Sequence, residues 1–259
     1  MNVGGEWALV TGASSGLGVE FARSLAAKGY NLILTARRAD PMNSLAHELR
    51  EQCKVDVVVE PLDISAPDAP AALIDMLSAR GIELDILVNN AGFGLFGRFL
   101  ENDEDKLRQM LQVDVIALTE LSLLAARRMK ARGRGHVLLV ASVAANNPTP
   151  LYAAYGAAKA YVLSLGEALN VELAPEVNVT VLSPGLMDTG FLGVAGQKPS
   201  PLMVRNMIKP VDAVKIGLEA MFARKSSVIT GRLNRFAAFI NRFISRRAQA
   251  RMILRVQQA

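Results

Sequence analysis

Tyr155 and Lys159 stand four residues apart in the stretch YGAAK, and Ser142 precedes the tyrosine by thirteen positions at the end of VLLVAS. On a helix such a Tyr–Lys pair shares one face. A ketone that receives hydride builds negative charge on its oxygen, which calls for a hydrogen-bond donor and then a proton. Tyrosine supplies both, yet its phenol titrates at about 10 when unperturbed. An ammonium beside it is expected to lower that value by stabilising the phenolate, the part assigned to Lys159. Ser142 would hold the carbonyl oxygen or, as a strand-end serine, satisfy backbone. Tyr152 competes for the acid role, but Gly156 rather than lysine stands four residues on, and Tyr152 is read as pocket wall.

A second group of residues suits an anion. The apolar run WALVT passes into TGASSGLG, Thr11 to Gly18, and then directly into a helical stretch. Gly12, Gly16 and Gly18 permit a tight turn and a close backbone approach, and the loop N–H groups of Ser14, Ser15 and Leu17 with the positive helix end would face a pyrophosphate. In such sites an acidic residue after the second strand bonds a free ribose 2′-hydroxyl. Here that strand ends in Thr35-Ala36-Arg37-Arg38, with no carboxylate before Asp40. The site is therefore expected to take a 2′-phosphate, with Arg37 as the first contact and Ser15 or Arg38 in support. The alternative is two surface arginines at a strand end.

The elements that must position these residues follow from hydropathy. Short apolar runs at 7–11, 31–36, 55–60, 86–89, 137–142 and 177–182 alternate with stretches of helical spacing near 16–28, 42–52, 68–80, 103–132 and 155–174. That alternation predicts right-handed crossovers and a mostly parallel sheet with helices on both faces. Residues 1–230 read as one α/β domain. Gly185–Pro210 reads as a long loop with a short helix, with a substrate loop at 186–207, and long loops in compact domains tend to bind ligands. One Cys and two His in 259 residues exclude a disulfide framework, a cysteine-rich zinc module and a three-histidine metal site. No metal is expected. The start lacks the pattern of a secretory signal, and no apolar run approaches the length of a membrane span, so a soluble, cytoplasmic protein is expected.

Together the motifs resemble the short-chain dehydrogenase/reductase family: TGASSGLG at 11–18, NNAG at 89–92, Ser142, Tyr155 with Lys159, and Pro184-Gly185, in the family's order over about residues 5–230. The TARR ending with the VASVAA and YAAYGAAKAY stretches looks like its NADPH-preferring, DltE-like and 17β-hydroxysteroid-dehydrogenase-like members. The resemblance implies a single Rossmann-fold domain of about seven strands, NADPH/NADP+ as cofactor, and a homodimer or homotetramer. It also implies that Lys159 reaches the nicotinamide ribose. Asn89, Ala91 and Gly92 would line the adenosine and ribose side, and Asp63 would contact the adenine amino group, or cap a turn. Thr189 in PGLMDTG would bond the carboxamide, or cap a short helix. One departure stands out. Where many relatives have Asn in a VN segment, this chain has Asp114; the proton relay through its main-chain carbonyl is expected to survive, or Asp114 only bends its helix.

The residues expected to line the substrate are apolar: Phe93, Leu95, Phe96, Phe99, Leu151, Tyr152, Phe191, Leu192, Met203 and Met207. They favour a bulky hydrophobic ketone or aldehyde over a sugar. The expected activity is NADPH-dependent carbonyl reduction, reversible to alcohol oxidation; the alternatives are the oxidative direction, or a non-catalytic nucleotide-binding or peripheral membrane protein. Charge is uneven. Residues 231–259 carry seven arginines and no Lys, Asp or Glu against a chain total of +5, which leaves the preceding 230 residues at −2. A nucleic-acid face on the main body is thus unsupported. The tail, unbroken by Pro, predicts one amphipathic helix of six or seven turns with Leu233, Phe236, Ala237, Ile240, Phe243 and Ile244 on a stripe. That stripe is expected to pack on the protein's own body or a sister subunit, or to meet anionic headgroups.

Overall fold

In a computed structural model, residues 5–198, 204–205 and 207–258 are described. Among them seven strands, β1 (Trp7–Thr11), β2 (Asn31–Ala36), β3 (Val57–Pro61), β4 (Leu84–Asn89), β5 (Gly135–Val140), β6 (Val177–Ser183) and β7 (Ser227–Ile229), form one sheet in the order β3-β2-β1-β4-β5-β6-β7. Every neighbouring pair runs parallel. The central strands are buried along their whole length, which is why they read as continuous apolar runs and not as alternation.

Each face of the sheet carries its own apolar layer. On one side α1 (Gly16–Ala26), α2 (Ala39–Cys53) and α8 (Pro210–Phe222) bury Phe21, Leu25, Met42, Leu49, Val214 and Leu218 against Ala8, Val10, Leu32 and Leu34. On the other, α3 (Ala69–Ala79), α5 (Leu118–Ala131) and α6 (Ala153–Glu172) bury Leu73, Leu77, Leu121, Met129 and Val162 against Leu9, Ile33, Leu87 and Val137. The order in which successive strands are added reverses at the β1–β4 neighbours. In such sheets ligands bind at the carboxyl ends of the strands at this switch point.

The chain departs from the expectations in four places. First, α4 (Glu104–Leu111) and α5 are joined by a π-helical segment, Gln112–Ala117, which 3.6-residue periodicity does not reveal. Second, the continuous helix Glu104–Ala131 is long and apolar enough to cross a membrane, contrary to the expectation from apolar runs, but half of its most apolar stretch is buried in the fold. Third, α8 and the three-residue β7 lie where no element was assigned; the loop between β6 and α8 carries a short helix, α7 (Phe191–Ala195), as expected. Fourth, the tail is two helices, α9 (Arg232–Ile240) and α10 (Arg246–Gln258), separated by a single 3-10 turn. The second begins where Ser245 accepts from the Ala248 N–H, a serine cap inside the expected single helix.

Candidate active site

The glycine loop leaves β1 with Gly18 so close to the Gly12 carbonyl that no side chain fits. Ser15 precedes α1 in extended conformation and makes no side-chain cap, so the first N–H groups of the helix remain open to an anion. Arg38 lies over this loop, its Nη2 donating to the Ser14 carbonyl at 3.4 Å and to Ser14 Oγ at 3.2 Å. Arg37, also exposed, sits near Asp63 and helps hold that carboxyl below its ordinary value. Asp63 Oδ1 accepts from Ser65 N and Oγ at 3.0 and 2.7 Å, which is the turn-capping arrangement. Thr189 is carried by the loop after β6 to the glycine loop, within van der Waals reach of Gly16.

The NNAG segment behaves differently from the expectation at its first residue. Asn89 is buried and donates to the Leu118 carbonyl at 3.0 Å and to Ser122 Oγ at 3.2 Å, tying β4 to α5 beneath the site. Asn90, which sequence reasoning passed over, donates from Nδ2 to the Thr11 carbonyl at 2.8 Å, and Thr11 Oγ1 accepts from the N–H groups of Asn90 and Ala91 at 2.9 Å each. These bonds lock the ends of β1 and β4 together. Pro184 accepts from the Val143 N–H at 3.0 Å, and Gly185 donates to Thr230 Oγ1 at 2.8 Å.

Ser142, Tyr155, Lys159 and Asp114 converge. Ser142, two residues past the end of β5, is extended, its Oγ accepting from Ala144 N at 3.2 Å, and its side chain hydrogen-bonds that of Tyr155. Tyr155 is 8% exposed. One helical turn on, Lys159 donates to the Val140 carbonyl at 3.1 Å, and its Nζ lies 5.7 Å from the Tyr155 ring centre. The π segment turns the Asp114 side chain fully inward: Oδ1 accepts from Phe93 N at 3.2 Å, and Oδ2 faces Lys159 Nζ at 3.6 Å. Gly92 closes the other side, where any Cβ would collide with the Asp114 carboxylate and meet Lys159 Nζ at 3.1 Å. Thus the carboxylate, and not only the main chain, is part of this arrangement.

The electrostatics reverse one expectation. Burial, then the charge of Asp114, pushes the Tyr155 phenol above its ordinary value, against the bond from Ser142. Lys159 does not bring it down here, because the ammonium is drawn to Asp114 and to the Val140 carbonyl. Asp114 itself is pushed up to about 6 by burial, opposed by the Lys159 charge and the Phe93 N–H. The phenol thus rests protonated and holds the proton that a reduced carbonyl oxygen needs, although burial makes it a weaker acid than free tyrosine.

Asp114→Asn removes the charge that raises Tyr155 and frees the Lys159 charge to favour the phenolate. Alcohol oxidation, which needs the phenolate, should therefore reach half its maximal rate at lower pH in the variant, while reductive kcat stays within about tenfold. A pH–rate profile of oxidation checks this; an unchanged or raised midpoint refutes it.

Five of the expected pocket residues cluster with Tyr155. The rings of Phe96 and Tyr152 meet at 5.2 Å between centroids, Tyr152 and Tyr155 at 5.7 Å, and Tyr155 and Phe191 at 5.4 Å, each pair tilted by about half a right angle or a little more. Phe93 and Leu95 pack on the same cluster with Met110. Tyr152 donates its hydroxyl proton to Gln197 Oε1 at 2.9 Å, and burial raises its phenol as it does that of Tyr155. Gln197 is a second residue that sequence reasoning missed. Phe99 is 57% exposed and stands outside the cluster, and Met203 lies outside the described residues.

Comparison with known proteins agrees with this architecture. Residues 6–199 match the short chain dehydrogenase family. The very-long-chain 3-oxoacyl-CoA reductase of Pyrenophora tritici-repentis is 34% identical over 220 residues, 82% of this chain and 64% of that protein. The chain thus spans less than two-thirds of that reductase. The 17-beta-hydroxysteroid dehydrogenase type 3 of Mus musculus is 27% identical over 254 residues, 97% of this chain and 82% of its own length. The solved structure of a short-chain dehydrogenase from Sphingobium yanoikuyae in complex with NADPH superposes with a TM-score of 0.82 at 29% identity, covering 91% of this chain and 92% of that one. With its seven-stranded parallel sheet, glycine loop and clustered Ser142, Tyr155 and Lys159, the chain belongs to the short-chain dehydrogenase family of oxidoreductases.

Proposed function

We propose that the chain is an NADPH-dependent reductase of bulky apolar ketones or aldehydes. The observation that carries this is a buried, protonated Tyr155, hydrogen-bonded to Ser142, with Tyr152 and Phe191 against its ring. The cofactor fits the residues present: the uncapped start of α1 and the glycine cradle suit a pyrophosphate, and Arg37 and Arg38 suit a 2′-phosphate. When bound, NADPH supplies the hydride that adds to the carbonyl carbon. Ser142 holds the developing alkoxide by a hydrogen bond, and Tyr155 delivers its hydroxyl proton to that oxygen, completing the alcohol. Lys159, whose Nζ lies 3.6 Å from Asp114 Oδ2, stands beside the phenolate left behind and would also reach the cofactor ribose.

The aromatic wall sets specificity by area. Each additional methylene buried against it contributes about 0.8 kcal/mol, about fourfold in kcat/KM. A ketone series of increasing apolar bulk, followed by loss of NADPH absorbance, should show that rise; a flat or falling series refutes the substrate class, and no turnover with any carbonyl refutes the reductase. The outer side of the Glu104–Ala131 helix and α6 leaves Leu111, Ile116, Leu123, Tyr161 and Val171 exposed, with Thr119 Oγ1 and Tyr161 Oη hydrogen-bonded at 2.9 Å between the two helices. We assign homo-oligomer formation to this face, to be checked by light scattering.

A further inference from the structure

The tail packs on the protein with the wrong side for a water-facing helix. On α9 the face toward the body is small and polar: Asn234 Nδ2 donates to the Thr230 carbonyl at 2.9 Å and touches Gly185, Ala238 is half-buried, and Asn241 Nδ2, just past its end, donates to Asn147 Oδ1 at 3.0 Å. At about 100° per residue the opposite face carries the apolar stripe. Leu233, Phe236, Phe239, Ile240 and Phe243 are 75%, 64%, 54%, 36% and 75% exposed. The expectation that this stripe packs on the protein's own body is therefore corrected: the polar side does.

The second helix adds charge. Gln249, buried, donates to the Asn241 and Ile244 carbonyls at 2.6 and 2.7 Å and fixes the bend between α9 and α10. Arg247, Arg251 and Arg255, four apart on one face, line a surface groove with Met252, which is 53% exposed. No acidic residue lies in 231–259 to neutralise the seven arginines.

We propose that this C-terminal segment docks the protein peripherally on an anionic lipid bilayer. Headgroup phosphates and carboxylates match the arginines, and the phenylalanines enter the interface beneath them. A second copy is a poorer occupant, because a symmetric contact sets the same patch against itself and with it each copy's seven arginines. The segment is tied to the substrate side of the fold at two points, Asn147 and Gln197, which donates to Gln257 Oε1 at 3.2 Å and accepts from Tyr152. Docking would thus hold the aromatic pocket close to the lipid, giving an apolar substrate a path that avoids water. That consequence rests on the substrate class proposed above; the docking itself does not.

The test is cosedimentation of the full chain with phosphatidylcholine vesicles, with and without phosphatidylserine, at low and high salt. The wild type should bind the anionic vesicles at least about tenfold better than the neutral ones and lose that advantage as salt rises. The triple charge reversal Arg247→Glu, Arg251→Glu, Arg255→Glu and, separately, Phe236→Ser with Phe243→Ser should each lower anionic binding at least about tenfold while melting temperature and NADPH oxidation stay as in the wild type. Should either variant lose its melting transition, the lipid and salt dependence of the wild type decides. Equal partitioning to both vesicles, no binding at low salt, or folded variants that bind like the wild type overturns the proposal. So does a wild-type oligomer that Phe236→Ser with Phe243→Ser dissociates, which would give the stripe to a second copy.

Discussion

Tyr155→Phe is expected to abolish carbonyl reduction, by three decades or more in kcat, while the dissociation constant for NADPH changes less than about threefold. The change removes one oxygen from a ring held at 8% exposure between Tyr152 and Phe191, so the aromatic packing stays. What goes is the phenolic proton beside Ser142. Tyr152 cannot replace it, because its own proton is given to Gln197 Oε1 at 2.9 Å. Single-turnover kinetics together with fluorescence titration of NADPH separate chemistry from binding. Activity above one-tenth of the wild type would move the acid elsewhere and undo the assignment of the site.

Much of this site was legible because its spacing is local. Tyr155 and Lys159 fall on one helix face by periodicity alone, and Ser142 follows from the end of a fully apolar strand. The glycine loop is readable for the same reason, as consecutive residues between strand and helix. What escaped is tertiary or irregular. The lysine was expected to lower the phenol, but the Val140 carbonyl and Asp114 claim its ammonium, and both come from distant segments. Asp114 points inward because a π segment adds residues to the turn, and no 3.6-residue pattern announces that. Asn89 was read only as part of a nucleotide-lining segment, and its side chain also ties β4 to α5, with its neighbour Asn90 on the loop side.

The fold shows the same division. The central strands were legible from continuous apolar runs, whereas β7 has three half-buried residues and exists through its pairing with β6. The tail's amphipathic pattern is real, yet pattern alone does not say which side meets the protein. Asn234 and Asn241 find partners on the body that phenylalanine could not use, and the stripe is left outside.

Cofactor choice carries the second large effect. The 2′-phosphate of NADPH would sit at the mouth between the glycine loop and the end of β2, where two exposed guanidinium groups stand with no carboxylate in the Thr35–Arg38 stretch. Sequence alone favoured Arg37, but only Arg38 reaches the loop, through Ser14 Oγ and its carbonyl; Arg37 lies near the carboxylate of Asp63. A charge-assisted hydrogen bond contributes about 1.5–3 kcal/mol, about one to two decades in affinity. Arg38→Ala should therefore weaken NADPH by roughly ten- to a hundredfold and leave NADH unchanged, since the glycine loop and the start of α1 hold the pyrophosphate of both. Arg37→Asp should add like-charge repulsion against the phosphate and, by analogy with acidic strand ends, offer an acceptor to the free 2′-hydroxyl. The double variant Arg37→Asp, Arg38→Ala is expected to prefer NADH. Binding constants for both nucleotides with the wild type and three variants decide the matter: a wild type that binds NADH as tightly as NADPH shows that this strand end holds no phosphate. A loss confined to Arg37→Asp, with Arg38→Ala silent, would return the principal contact to Arg37 and make the Ser14 bond one that the nucleotide displaces.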